Sequence, residues 1–163
     1  LWLNALIGGL LYLPTSVIAA TWGIEFFKDT FHENTNSGSI AITALFIGWA
    51  FGGPVFSVLS AKFKIEKALI FISALAAAVL ILILFSEKNI SLLMLSGALF
   101  ILGFLSSAQV LIWRFFSQII RVDSKEKNSF GLASALTYLI IMLFIAVADL
   151  IMGALIIFFF HIS

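Results

Sequence analysis

Residues 40–85 read IAITALFIGWAFGGPVFSVLSAKFKIEKALIFISALAAAVLILILF. Two apolar runs, Ile40–Phe63 and Ile65–Phe85, meet at a short basic hinge, Lys62-Phe63-Lys64-Ile65-Glu66-Lys67. A helix that crosses the hydrocarbon core takes about 20 predominantly apolar residues, and each run is that long. The pair therefore predicts two transmembrane helices joined by a tight turn at a membrane surface.

The same reading extends outward on both sides. Leu1–Phe27, Ile90–Ile120 and Phe130–Phe160 also qualify as spans. The last two are longer than a span requires, which predicts tilt or an interfacial extension, and Gly153 marks a candidate break in the last. Composition agrees. Hydrophobic residues make up 63% of the chain and charged residues 10%, against about 45–50% and 25% in soluble domains. The predicted fold is an all-α, polytopic transmembrane helix bundle of five spans, forming a single domain over residues 1–163. The lipid bilayer is its first partner.

Polar linkers separate the spans. Lys28–Ser39 reads KDTFHENTNSGS, a surface loop by its Asn, Ser and Gly content, Ser86–Asn89 a tight turn, and Arg121–Ser129 (RVDSKEKNS) the most charged stretch. With five spans the linkers alternate sides. Lys62, Lys64, Lys67, Arg114, Arg121, Lys125 and Lys127 fall on one side, Lys28 and Lys88 on the other. The positive-inside rule predicts that the hinge and the Arg121–Ser129 loop face the cytoplasm. The expected location is the inner, cytoplasmic membrane of a bacterial cell, crossed several times. The chain opens at Leu1 within an apolar stretch, with neither a charged leader nor a small-residue cleavage site, and reads as a segment of a longer protein.

Small residues recur four apart. Gly48 and Gly52, Gly103 and Ser107, and Gly131 and Ala135 show this spacing. In lipid, such positions let helix backbones approach closely. Close packing of the first and second helices along Gly48 and Gly52 is expected, or of another small-residue helix in the first helix's place.

The stretch GGPVFSVLSAKFKIEK, Gly52–Lys67, resembles the cytoplasmic signature loop of the major facilitator superfamily, in which a Gly-rich helix end precedes an acidic residue, a basic residue, a glycine and further basic residues. FIGWAFGGP, Phe46–Pro54, fits the same pattern. LLYLPTSVIAATWGIEFF, Leu10–Phe27, looks like the opening helix of the second half of certain bacterial members. The resemblance covers most of the chain and is weakest after Arg121. Gly53, Pro54, Ser57, Lys62 and Lys67 occupy signature positions. Ser57 stands where the first signature glycine falls, Ala61 at the acidic position, Lys64 at the later glycine, and Ile65 and Glu66 at basic positions. The resemblance implies five helices of a six-helix C-terminal half, completed by a last helix and by the remaining half of the transporter. It also implies secondary active transport of a small solute by alternating access; the coupling ion is left open, a proton being one candidate. The alternative is a non-transporting scaffold or assembly subunit built from a similar bundle, or the product of a decayed gene.

Neutral polar residues within spans are the candidate cavity lining: Tyr12, Thr15 and Ser16 in the first helix, Thr43 in the second and Gln109 in the fourth. Pro14 removes a backbone hydrogen bond in mid-helix and predicts a kink beside that cluster. At 1.5 Å per residue Pro14 lies about 20 Å from the start of its helix, near mid-bilayer, where transporter sites gather. Asp149 is a carboxylate in an apolar run and the candidate coupling residue. Counted from Phe130 it lies about 28 Å along, toward the outer edge. Glu25 reads as interfacial and Arg114 as an arginine snorkelling to the inner surface beside Trp113. His32 reads as solvated. With no cysteine and two distant histidines, and no phosphate-cradling loop or paired nucleophile and base, neither an enzyme nor a metal, cofactor or nucleic-acid partner is expected.

Overall fold

The computed structural model describes residues 2–23, 35–86, 90–114 and 128–162, and these are almost entirely helical with no strand among them. Glu25, Lys28, His32, Lys88, Arg121, Lys125 and Lys127 lie outside the described residues. Helix α1 covers Trp2–Leu13 and continues as a π-helix over Pro14–Trp22. Helix α2 covers Thr35–Phe63, α3 Glu66–Ser86, α4 Leu92–Ser106 and α5 Asn128–Ile162. A 3₁₀ turn, Ser107–Gln109, carries α4 on toward Arg114. Four helices among the described residues are long and apolar enough to cross a membrane: Ser37–Phe63, Glu66–Leu84, Leu92–Arg114 and Ser134–Ala154. In the first helix an apolar stretch among the described residues, Leu6–Val17, runs across the change from α to π geometry at Pro14.

Two boundaries differ from the sequence reading. Helix α2 begins at Thr35, inside the stretch read as loop. Within α2, Thr43 Oγ1 donates to the Ser39 carbonyl at 2.8 Å, so this hydroxyl is satisfied inside the helix. Helix α5 runs unbroken through Gly153. A glycine costs helix stability without forcing a break. The fourth span does pause at a Ser: Ser91 caps α4, its hydroxyl accepting from the Met94 amide at 3.4 Å.

The hinge turns over two residues. Helix α2 ends at Phe63 and α3 begins at Glu66. Lys64 makes the turn with φ 54°, and its amide donates to the Ser60 carbonyl at 2.9 Å.

Helix α4 is the hub. Leu95, Leu99 and Leu102 are buried against Ala41, Ile42 and Leu45 of α2, Ala77 of α3 and Ala19 of the π-helix. Nearer the hinge, Ala108 and Leu111 pack on Phe56 of α2, and the Phe56 and Phe104 rings sit 5.3 Å apart. Over half of the α4 span is buried, against about a tenth of α3, whose Phe71, Ile72 and Leu82 point outward. An outer surface this apolar is stable only in lipid.

Glycines set the closest approach. A methyl group at Gly48 would overlap the Phe100 carbonyl oxygen and lie 2.8 Å from its carbon. One at Gly52 would meet the Ser107 hydroxyl and lie 2.6 Å from the Phe104 carbonyl oxygen, and one at Gly103 would overlap the Leu45 carbonyl. The Gly48–Gly52 and Gly103–Ser107 pairs thus face each other, and the partner of α2 on this seam is α4, not α1. The small-residue spacing signals close approach without naming the neighbour. Helix α1 uses its own glycines against other helices: a Cβ at Gly8 would lie 3.2 Å from Ile141 Cδ1 and 3.4 Å from Ile112 Cδ1. Gly53 and Gly131 have open space around them, so the Gly131–Ala135 spacing makes no such contact.

Candidate polar site at the facing helix irregularities

Proline at position 14 cannot donate to the carbonyl four residues back, and its ring crowds that carbonyl. The chain answers by widening instead of breaking. Leu13 keeps helical angles (φ −49°, ψ −48°), and nine residues from Pro14 form the π-helix. Runs of π-helix are rare and mark functional sites often. The irregularity expected at Pro14 includes a change of helix type. The π segment packs on α2, α4 and α5, and the 3₁₀ turn of α4 packs on α1.

Polar side chains collect at this junction. Thr15, Ser106, Ser107 and Gln109 are buried, while Tyr12 and Ser16 are half-buried. The Ser107 hydroxyl is committed to the Phe104 carbonyl at 2.6 Å. Thr15 Oγ1 and Ser106 Oγ have no hydrogen-bond partner among the described residues, and neither has Asp149 Oδ1 or Ser134 Oγ. A buried, unsatisfied polar atom costs about 1–3 kcal/mol. In natural proteins each calls for an occupant or a role.

Helical rise counted from the contact at Gly8 sets three of the residues that carry these oxygens at similar depths. Gly8 touches Ile112 of α4 and Ile141 of α5, and the α1–α5 contact advances from Ile141 at Gly8 to Phe144 at Gly9, so α1 and α5 run in the same direction. From that contact Thr15 lies seven residues on, about 10 Å, and Asp149 eight residues past Ile141, about 12 Å. Helix α4 runs the other way, and Ser106 is six residues before Ile112, about 9 Å. Asp149 also continues the buried stripe of Thr137, Ile141 and Ile145 at four-residue intervals. In the candidate span Ser134–Ala154, Asp149 lies five residues from the far end.

No family model, curated protein or solved structure matches this chain. Its chemistry is therefore read from its own residues. Thr43 stays apart from the junction: it is exposed, and its hydroxyl is used within α2.

Sequence reasoning undervalued Arg114. Its Nη1 donates to Ser60 Oγ at 2.8 Å and, more weakly, to the Ser57 carbonyl at 3.5 Å. It is a clamp between α4 and the hinge end of α2, where a snorkelling side chain was expected. Around it, Gly53 and Ser57 are half-buried, and Pro54, Lys62 and Lys67 are exposed. Lys62 Nζ lies 5.4 Å from the Phe63 ring centroid.

Proposed function

We propose that this multi-pass membrane protein is a secondary transporter that moves a small solute by alternating access, with five spans arranged like part of a major-facilitator half. The observation that carries the reading is that the oxygens Thr15 Oγ1, Ser106 Oγ and Asp149 Oδ1 are buried inside otherwise apolar helices with no hydrogen-bond partner among the described residues. Polar groups within a span mark substrate or ion pathways, and irregular backbone at membrane depth belongs where protein buries it or a cavity is lined. Tyr12, Thr15, Ser16 and Gln109 would contact the solute, and Asp149 would carry the coupling proton. The hinge supports the resemblance to the signature loop: Lys64, at the position of the later signature glycine, is the residue with a left-handed φ. On this reading the hinge faces the cytoplasm, as the basic residues require, and the membrane is the bacterial inner membrane.

The test uses sealed membrane vesicles with and without the protein, incubated with a small-molecule cell extract, and mass spectrometry of their contents. One solute class should accumulate only with the protein, fall at least tenfold with Thr15→Val, and lose its dependence on a pH gradient with Asp149→Asn. Identical contents in both vesicle types would favour a non-transporting scaffold.

A further inference from the structure

Helix α1 has a second face. Its Gly8–Gly9 side meets α4 and α5, while Ile7, Leu10, Leu11 and Pro14 border a cleft of about 650 Å³ that separates α1 from α3. Ile112 of α4 forms part of the wall. On the α3 side small residues, Ala74 and Ala78 among them, make room, and Lys67 is the charged residue among the described lining residues. Lys67 stands in the first turn of α3, and Ile81 at the other end lies 14 residues on. By helical rise the cleft is about 21 Å long, somewhat more than the hydrocarbon of one leaflet, about 15 Å.

We propose that this cleft binds an anionic phospholipid, with one acyl chain lying along it and the phosphate held by Lys67. Three features point to that occupant. The lining is apolar along its length, which suits a hydrocarbon chain and excludes a water-soluble anion. Among the described lining residues the cation, Lys67, sits at the hinge end, at the depth of a headgroup. Lys62 and Lys64 stand on the same hinge and add positive potential there, and basic pockets at the ends of membrane helices select anionic headgroups. The site is independent of the transport reading, because it uses the outer face of α1 and neither Thr15 nor Asp149.

The experiment is native mass spectrometry of the full chain released from mixed vesicles of phosphatidylglycerol and phosphatidylcholine. The wild type should retain phosphatidylglycerol about fivefold over phosphatidylcholine, the weight of one lysine near an anionic surface. Lys67→Gln should bring the ratio close to one and Lys67→Arg should keep it. Ala78→Phe fills the cleft and should expel both lipids. Ala78 is exposed in the cleft, so the larger side chain enters no packed core; Ala74→Phe, equally exposed, gives the same reading if that variant is not monodisperse. Equal retention of the two lipids by the wild type would overturn the proposal. So would a preference that survives Lys67→Gln, or retention that ignores both phenylalanines. Displacement of the lipid by soluble glycerol phosphate would show a headgroup site without the cleft, and would also overturn it.

Discussion

Lys64 carries a side chain in a conformation that normally favours glycine. A left-handed backbone costs a residue with a Cβ about 1–2 kcal/mol, and the turn at φ 54° cannot relax without losing the Lys64-to-Ser60 hydrogen bond. Lys64→Gly should therefore leave thermal stability in detergent unchanged or raise it by up to about 1 kcal/mol, after the greater chain freedom of glycine in the unfolded state is subtracted. Lys64→Val should lower it by more than about 1 kcal/mol, because a β-branched residue tolerates positive φ least. If valine proved as stable as glycine, the turn would not be left-handed. Arg114 teaches a related lesson. The sequence showed a cation near a helix end but not its acceptors, since Ser57 and Ser60 lie more than 50 positions away in the chain.

At the scale of elements, the glycines of α2 divide sharply within six residues. Gly48 and Gly52 touch α4 backbone, while Gly53 faces open space. Gly48→Ala should destabilise the bundle by about 1–3 kcal/mol through overpacking, and Gly52→Leu by more. Gly53→Ala should be neutral or stabilise by about 0.5–1 kcal/mol, the ordinary gain from replacing glycine in a helix. Retained folding yield and melting temperature across all three variants would rule out the seam. The spans of α2 and α3 were legible because apolar length is a one-dimensional property. The small-residue spacing likewise exposed both sides of the α2–α4 seam. Which side met which was not legible, since Gly48–Gly52 presents the same flat face to any close helix. Pro14 announced an irregular helix, but not that the irregularity would take the form of a nine-residue π-helix.

At the scale of the whole molecule, α4 ties the bundle together. Its apolar stripe gathers α2, α3 and the π segment, and its cationic end clamps α2 beside the hinge. The polar level formed by Thr15, Ser106 and Asp149 crosses this frame where α1 and α4 both leave regular α geometry. A bundle serving only as a scaffold would need no such level, and apolar residues of similar shape would pack there at lower cost. A transporter needs water and solute to reach it. The chain contains no cysteine, so single thiols can be introduced without altering a native one. Thr15→Cys and Leu10→Cys differ in surroundings: Thr15 is 3% exposed within the bundle, while Leu10 is 48% exposed on its lipid-facing side. The direct measurement is the rate at which each thiol reacts with a charged, water-soluble thiosulfonate in intact membranes. The account predicts that Thr15→Cys reacts at least tenfold faster than Leu10→Cys, although it is the more buried of the two. Equal, negligible reaction at both positions would mean that the level is dry, and would contradict the transport pathway placed there.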